Sequence, residues 1–420
     1  MKESGLYDSL INSRKLLAFE EALSVCASEN STTVIAPEEI PFVSYPYEWT
    51  FGQLKDAALL TLDIHIECLK KNFLLKDASA YNIQFHNGAP VFIDHLSFES
   101  IDKHRAWPAY GQFCRHFLAP LVLMSKKEIR LKKLLTNFID GIPLDLAAKL
   151  TPLSTVFSLG ILLHLFMHAK HQSKYASRGD VIKKSRPISA SHMLVIAQSL
   201  RKTISKLNWQ GGATEWGKYY ADTNYSPEAM ESKKRIVADF VQRTAPSSLW
   251  DLGGNTGEMS RASAHDISIV CFDIDESAAE QNYIFCKQHG VTNILPLTMD
   301  FTNPSSSLGF GEHERDSLSS RGPADTILAL ALLHHLVISN NIPFSYVAQY
   351  FASISKHCII EFIPKEDSQV QRLLLSREDI FDDYTQKGFE AAFSQHFEIS
   401  DKCIVRETLR TIYLLKTRDQ

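Results

Sequence analysis

A glycine-rich loop at residues 251–257 has the composition of a segment that brings backbone close to a ligand. Its three glycines have no side chain to hold a ligand away and adopt positive φ without strain. Asn255 is of a residue type that tolerates the left-handed region. An apolar stretch at residues 249–250 precedes the loop, and the helix predicted after it begins with free backbone amides. This order predicts a strand, a ligand-binding loop and a helix, as in nucleotide-type sites.

Polar side chains follow the strands predicted beyond this loop. These strands lie at residues 267–272, 293–297, 326–332 and 358–363. The polar or aromatic residues at their ends are Asp273, Asp300 with Phe301, His334 with His335, and Glu361. Because the strands alternate with gaps of helix length, we predict an α/β fold with a Rossmann-like, doubly wound, mostly parallel sheet. The carboxyl ends of such strands meet at one edge, where these sheets bind ligands.

The residues at this edge suit ribose binding and proton transfer. Asp273 lies where an acidic side chain accepts both hydroxyls of a ribose. His334 and His335 are candidate general bases near neutral pH, and Glu361 is another. Because side chains alternate along a strand, we expect only one of the two histidines to face the ligand, with helix capping or internal packing as the alternative for both. No cysteine is placed as a nucleophile, and the histidine spacing fits no metal motif, so we expect no metal.

In these residues the chain resembles the class I S-adenosylmethionine (SAM)-dependent methyltransferases, with their first motif at residues 251–257. The resemblance implies that SAM is the cofactor and that it is held by Asp251, Gly253, Gly254, Asn255, Thr256, Gly257, Asp273, Ile274, Asp300, Phe301, Leu330 and Tyr225. It implies that Asp251 orders the loop and that Asp273 binds the ribose. It also implies that Asp300 and Phe301 hold the adenine. Residues 330–335 match a fourth motif, beside the methyl group. Asn255 departs from the pattern, since many members have glycine there.

The resemblance narrows to a bacterial methyltransferase family named after host-specific nodulation proteins. Residues 361–374 and Tyr384 carry this similarity, together with an aromatic segment at residues 216–226 that contains Tyr225. For that segment, a cover over the cofactor and an ordinary lid or domain contact are both open. The family resemblance adds little about the substrate.

The N-terminal half has a second spacing with chemical meaning. Asp77 is followed five residues later by Asn82, then by an apolar strand that ends in Asp94. This pattern resembles the catalytic loop and metal-binding aspartate of protein-kinase-like phosphotransferases. Only Gly5 and Gly52 lie upstream, so the glycine-rich phosphate loop is missing. The resemblance implies a mainly helical (α+β) scaffold derived from a kinase C-lobe without phosphotransfer; active phosphotransfer and coincidence are the alternatives.

Length, charge and local composition support two domains. A chain of 420 residues exceeds one ordinary domain. Residues 1–212 carry 25 Lys and Arg against 19 Asp and Glu, whereas residues 213–420 carry 19 against 29. We therefore predict a kinase-like domain over 1–212 and a methyltransferase domain over 213–420. A polar, basic linker or loop is expected at residues 171–190.

The cysteines, the N-terminus and one apolar stretch indicate the cellular compartment of the protein. None of the seven cysteines forms a CxxC pair, and the N-terminus lacks a secretory signal, so a cytoplasmic protein is expected. Residues 150–169 contain no Asp, Glu, Lys or Arg. Polar residues interrupt this stretch, so we predict a buried core helix rather than a membrane span.

The leading hypothesis is transfer of a methyl group to a small-molecule or glycan-type acceptor, at oxygen. An RNA methyltransferase is the first alternative, but no RNA-binding module supports it, and DNA is not expected as a partner. A non-catalytic scaffold with both sites as relics is the second. The sequence leaves the acceptor and the oligomeric state open.

Overall fold

The computed structural model describes residues 4–21, 34–103, 106–170, 188–209, 211, 225–263, 266–375 and 377–418. The chain divides into two compact units, Met1–Gln210 and Gly211–Gln420. The division falls two residues before the predicted one. The predicted linker at 171–190 and the aromatic segment at 216–226 lie mostly outside the described residues.

The N-terminal unit is mainly helical. Its helices are α1 (Leu6–Asn12), α2 (Phe51–Lys70), α3 (Tyr110–Phe113), α4 (Ala119–Lys126), α5 (Leu134–Asn137), α6 (Leu144–Leu150), α7 (Leu159–Ile161) and α8 (Ala190–Ser205). Its strands are β1 (Phe19–Glu21), β2 (Ile35–Pro37), β3 (Phe73–Leu75), β4 (Ile83–His86), β5 (Ala89–Phe92) and β6 (Phe98–Ser100). A capping box between Thr50 and Gln53 starts α2, which packs against α8.

A β-hairpin follows at residues 83–92, where Asn-Gly between two apolar runs is a strong turn signal. β4 and β5 pair antiparallel, and their turn is formed by Asn87 and Gly88, with φ of 50° and 76°. Positive φ at both central residues is what a two-residue type I′ turn requires. Around this hairpin, β3 pairs antiparallel with β6.

The prediction of a buried core helix in the uncharged stretch is confirmed only in part: residues 159–170 are helical with Ile161 and Leu165 buried, but the stretch before them is not one helix with them. The chain there forms a 3₁₀ turn at Leu153–Phe157, the short α7, and a π-helical turn at Leu162–Met167. The helix is interrupted at Ser158, whose ψ of 105° is extended. Phe157 and Leu159 are 91% and 68% exposed, so much of the stretch faces outward. In the part of the chain that the structure describes, no helix has both the length and the apolar character that a membrane crossing needs.

The C-terminal unit is built on a seven-stranded sheet. Its strands are β7 (Ser248–Leu252), β8 (Ser268–Asp273), β9 (Ile294–Thr298), β10 (Ala324–Ala329), β11 (Ser355–Phe362), β12 (Phe397–Ile404) and β13 (Thr411–Thr417), in the spatial order β12-β13-β11-β10-β7-β8-β9. Five neighbouring strands, in the spatial order β11-β10-β7-β8-β9, pair in parallel, as predicted. The hairpin β12–β13 adds antiparallel strands beside β11. The α/β character of the unit is thus established.

Helices connect these strands. They are α9 (Pro227–Thr244), α10 (Glu258–Ser263), α11 (Glu276–His289), α12 (Phe344–Ile354), α13 (Ser368–Leu374) and α14 (Gln386–Phe393). The central strands are buried along most of their length, with Leu249, Phe272, Ile327 and Ile359 at 1% exposure or less. The neighbours β7 and β10 are not consecutive in sequence, so the strand order switches between them. Parallel sheets of this type bind ligands at such a switch point, beyond the carboxyl ends of the strands.

Candidate functional site

The loop after β7 folds back onto the end of β8. The backbone N–H groups of Gly253 and Gly254 both donate to the Phe272 carbonyl, at 2.9 Å. Gly253 and Asn255 have φ of 80° and 51°, which explains the residue types at these positions. A Cβ on Gly254 would lie 2.4 Å from Cys271 Sγ, so the backbone packs directly on the neighbouring strand. The sequence thus forms a tight, backbone-lined shelf at the switch point.

Asp251 supports this shelf from below. It is 1% exposed, and its Oδ2 accepts a hydrogen bond from Ser260 Oγ at 2.6 Å. Burial raises the pKa of Asp251 to about 6, although the Ser260 bond and the charge of Lys233 oppose the rise. The side chain therefore joins the loop to α10, which agrees with an ordering role.

Asp273, at the end of β8, is tied to the loop by both oxygens. Oδ2 accepts from the Asn255 N–H at 2.7 Å, and Oδ1 accepts from the Asp275 N–H at 2.8 Å. Burial raises the pKa of Asp273 to about 6, and these two bonds counteract it. A carboxylate oxygen has two lone pairs, so each oxygen of Asp273 keeps one acceptor position. The carboxylate is thus fixed in direction and still able to accept two hydroxyl donors.

A cavity of about 350 Å³ opens along this edge of the sheet. Ten of the twelve residues predicted to bind the cofactor line it: Tyr225, Asp251, Gly253, Gly254, Asn255, Asp273, Ile274, Asp300, Phe301 and Leu330. Thr256 and Gly257 do not line it. Gly257 packs against Asn282: a Cβ added to Gly257 would lie 2.4 Å from Asn282 Nδ2. These two residues shape the loop rather than the cavity.

The residues after β9 form a further part of the cavity wall. Asp300 Oδ1 accepts hydrogen bonds from the backbone N–H and the hydroxyl of Thr302, at 2.9 and 2.6 Å. The Phe301 ring lies edge-on to Phe272, with centroids 5.8 Å apart. Ile274 is 58% exposed beside them. An exposed aliphatic side chain and an aromatic ring at one cavity provide apolar surfaces for a flat heterocycle.

The two histidines after β10 have different environments. His335 lines the cavity, whereas His334 does not and is 3% exposed. Burial lowers the pKa of His335 to about 4, and it lowers that of His334 well below the usual value. Their rings are 4.1 Å apart. Both imidazoles are therefore neutral near pH 7, and His335 is the one in a position to meet a bound molecule.

Glu361 lies outside the cavity lining and is fully buried in β11. Its carboxylate accepts from Lys233 Nζ at 2.7 Å, from the Ala331 N–H at 2.9 Å, and from the Tyr225 hydroxyl. Burial works against its ionised form, but Lys233, Arg410 and the hydrogen bonds outweigh burial and hold the pKa of Glu361 below its usual range. A carboxylate held in this way is an anchor and is poorly placed to receive a proton.

The contacts of Glu361 involve residues that were not predicted as site residues. Lys233 lines the cavity while 4% exposed, and Ala331 has a φ of 52°, in the left-handed region. Arg410 donates to the Tyr225 hydroxyl at 2.7 Å and pairs with Asp367 at 2.8 Å. The turn after β10 is therefore fastened to Glu361 in β11 and, through that carboxylate, to Lys233 in α9 and to Tyr225.

Most of the remaining residues that line the cavity are apolar. They include Met230, Met259, Met299, Leu332, Leu336 and Leu373, with Thr302, Ser339 and Asn340 as polar members. Their signal in the sequence is weak, because apolar residues at helical spacing predict core as readily as a binding surface. Of these residues, only Leu332 belongs to the motif predicted at residues 330–335.

The kinase-like residues of the N-terminal unit are held by local contacts. Asp94 accepts from the Leu96 N–H at 2.8 Å and from Ser97 Oγ at 2.5 Å. Asn82 Nδ2 donates to the same Ser97 Oγ at 3.4 Å, and Asp77 accepts from the Ser79 N–H at 2.9 Å. Within the described ranges, no group of three or more His, Cys, Asp or Glu side chains has the arrangement to hold a metal ion.

One curated protein is similar over most of the chain. The nodulation protein NoeA of Rhizobium meliloti (strain 1021) is 36% identical over 377 residues, which cover 88% of this chain and 79% of that protein. No family model matches the sequence. Identity at this level over this length establishes a common family.

Similar solved structures match about half of the chain. A magnesium protoporphyrin IX methyltransferase (ChlM) from Synechocystis PCC 6803 with bound SAH matches 48% of this chain and 93% of its own, at TM-score 0.34 and 14% identity. The N-methyltransferase NodS of Bradyrhizobium japonicum WM9 matches 46% and 99%, at TM-score 0.33 and 8% identity. The bifunctional kinase-methyltransferase WbdD matches 47% and 41%, at TM-score 0.32 and 14% identity. TM-scores this low carry no argument about activity, which rests on the residues of the site.

Proposed function

This chain belongs to the family of the nodulation protein NoeA, and from that premise we propose that it is a SAM-dependent methyltransferase acting on an oxygen of a small-molecule or glycan-type acceptor. The observation that carries the proposal is the single cavity at the switch point. Its wall contains the exposed backbone of the glycine loop, the carboxylate of Asp273, the apolar side chains of Ile274 and Phe301, and His335. These four features would bind, in the same order, the methionine part of SAM, its ribose, its adenine and the methyl acceptor.

The residues present fit SAM. Gly253 and Gly254 leave backbone exposed where a larger side chain would occupy the cavity or strike Cys271. Asp273 keeps two acceptor positions for the two ribose hydroxyls. Asp300 offers an acceptor for the adenine amine, between Ile274 and Phe301. The three glycines of the loop are not in the GxGxxG arrangement of dinucleotide-binding loops, which favours a ligand without phosphate.

SAM supplies a methyl group on a sulfonium, which an acceptor oxygen takes by in-line displacement. The chain contributes chiefly by alignment, which is worth several orders of magnitude in rate. The turn at Ala331, fastened to Glu361, holds the acceptor end in place. His335 accepts the proton of the acceptor hydroxyl, and its low pKa keeps it unprotonated and ready at neutral pH. The same low pKa makes it a weak base, so positioning contributes more than proton transfer.

Glu361 is assigned a positioning role instead of the catalytic one expected from its place in β11. All its partners are protein groups, and Lys233 keeps it ionised. His334 is assigned to packing beneath His335. Of the three candidate bases, His335 alone is retained.

Isothermal titration of the full chain with SAM tests the cofactor. We expect one site, and Asp273→Ala should weaken binding at least about 10-fold, since it removes two hydrogen bonds to a charged acceptor. Glu398→Ala, an exposed carboxylate on β12, is the matched control and should bind like wild type. Absence of binding, or an Asp273→Ala variant that equals wild type, would refute the proposal.

Methyl-labelled SAM and fractionated bacterial extract test the acceptor class. We expect label in small-molecule or glycan fractions, resistant to ribonuclease, with a lower rate for His335→Ala than for wild type at equal SAM affinity. Label that disappears on ribonuclease treatment would favour the RNA alternative. Label on nitrogen or sulfur would contradict transfer to oxygen.

We also propose that the N-terminal unit is a kinase-derived scaffold without phosphotransfer. The pairing of β3 with β6 around the hairpin supports the kinase relation. Ser97 lies between Asn82 and Asp94 and takes hydrogen-bonding capacity that a metal ion would need. Titration with ATP and Mg²⁺ should show no binding; metal-dependent binding that is lost in Asp94→Ala would overturn this assignment.

A further inference from the structure

Large apolar side chains project from one part of the N-terminal unit. Leu153, Phe157 and Leu159 are 78%, 91% and 68% exposed, and Val195 on α8 is 61% exposed. Exposed apolar groups that cluster in this way mark interaction sites. The first three fall in the uncharged stretch at residues 150–169.

Three lysines share the same surface. A depression of about 920 Å³ is lined by Phe157, Leu159 and Val195, and Lys126, Lys202 and Lys206 line it as well. No carboxylate is among the described residues that line it. We call this set of six residues the apolar–basic face.

Helix α8 displays both characters along one side. Val195, Lys202 and Lys206 follow one another at helical spacings of seven and four residues, which place them on one face. Arg201 points elsewhere and forms an ion pair with Asp63, at 2.5 Å. In the described part of the chain, no ion pair engages the three lysines. Among the described residues, the three lysines therefore leave their positive charge uncompensated on this face, whereas the charge of Arg201 is paired.

We propose that the apolar–basic face binds peripherally to the surface of a membrane that contains anionic lipid. Phe157 and Leu159 enter the boundary between headgroups and acyl chains, while the lysines lie at the headgroups. Surface-lying protein segments combine these two features. Leu153, Phe157 and Leu159 are each exposed by two thirds or more, so their apolar surface is available to the acyl-chain boundary. Lysines near an anionic surface add attraction that salt screens.

Sedimentation of the full chain with lipid vesicles tests the proposal. Vesicles of phosphatidylcholine mixed with phosphatidylglycerol should carry the protein down, vesicles of phosphatidylcholine alone much less, and added salt should release it. Lys202→Glu with Lys206→Glu should weaken binding at least about 30-fold, from about one kcal/mol for each lysine at 1.4 kcal/mol per tenfold. Phe157→Ser with Leu159→Ser should weaken it at least about 100-fold.

Matched controls separate this face from general stickiness. Phe310→Ser with Leu409→Ser removes two apolar side chains of 91% and 62% exposure in the C-terminal unit, and Lys70→Glu with Lys387→Glu reverses two exposed lysines away from the face. Both controls should bind vesicles like wild type. Thermal unfolding followed by circular dichroism, and hydrogen exchange of α2, should be equal in all variants, which shows that both units fold. Failure of wild type to sediment with anionic vesicles, or equal losses in the controls, would overturn the proposal, as would capture of an acidic protein through this face without vesicle binding.

Discussion

Replacement of Lys233 by Met should destabilise the C-terminal unit, because it isolates a buried carboxylate. Lys233 Nζ lies 2.7 Å from Glu361 Oε2, and the two side chains are 5% and 0% exposed. Methionine keeps most of the volume and removes only the charge. Breaking one partner of a buried ion pair costs about 3–5 kcal/mol.

The remaining contacts place a limit on that cost. In the Lys233→Met variant, Glu361 can take up a proton instead of remaining as an unpaired charge. Protonating a carboxyl with an ordinary pKa of about 4.3 at pH 7 costs about 3.7 kcal/mol. The Ala331 N–H and the Tyr225 hydroxyl still donate to it. We therefore expect a loss of about 3–4 kcal/mol at pH 7. Addition of Glu361→Gln should restore much of it, since no charge is then left unpaired.

Urea unfolding, followed by hydrogen-exchange mass spectrometry of β10 and β11 in the full chain, measures this loss. Because the cost is that of protonation, it should shrink as pH falls from 7 to 5, by up to about 1.4 kcal/mol per pH unit. A loss below about 1 kcal/mol would refute the reasoning, since it falls outside the range for a broken buried pair. A pH-independent loss, or a double variant weaker than the single one, would also refute it.

Three further predictions follow from packing and titration. Gly254→Ala should lower the stability of the C-terminal unit by about 1–3 kcal/mol and weaken SAM binding, because its Cβ would strike Cys271 Sγ; unchanged thermal unfolding and titration would contradict this. Burial lowers the pKa of His65 to about 3 and that of His164 to about 4, so the unfolded chain binds these protons first as pH falls through 6.5. The N-terminal unit should therefore lose about 2 kcal/mol per histidine between pH 7 and 5, and equal hydrogen exchange of α2 at both pH values after correction for intrinsic rates would contradict it. The pH profile of kcat should show no limb from His335 between pH 5 and 7; a limb near 6.5 that disappears in His335→Gln would contradict its low pKa.

Local patterns were sufficient to predict the parallel core and the loop. The strands β7 to β11 are short apolar runs that end in polar residues, and each such signal lies within a few residues of sequence. The turn at Asn87 and Gly88 was predictable for the same reason, because only certain residue types adopt positive φ at both positions.

Contacts between distant residues were not predictable from one sequence. Lys233 and Glu361 are 128 residues apart, and Arg410 and Tyr225 are 185 apart. A lysine on an amphipathic helix is usually solvated, so nothing local marks Lys233 as buried. The expectation that Glu361 is a base failed to anticipate this pairing, although its position in β11 was predicted.

The local sequence pattern was misleading for the β12–β13 hairpin and for the uncharged stretch at residues 150–169. The hairpin β12–β13 was not predicted, although burial alternates along β12, because charged and polar residues dilute its apolar pattern. The uncharged stretch looked like a core helix by hydropathy alone. Its break at Ser158 and the exposure of Phe157 depend on tertiary structure that hydropathy does not record.

A crystal structure of the full chain grown with S-adenosylhomocysteine, the demethylated product of SAM, tests the central claim most directly. The account predicts density in the cavity at the β7–β10 switch point. The ribose hydroxyls should bond to Asp273, the adenine should lie between Ile274 and Phe301, and the sulfur should face His335. Density bound elsewhere on the chain, or a ribose without contact to Asp273, would contradict it.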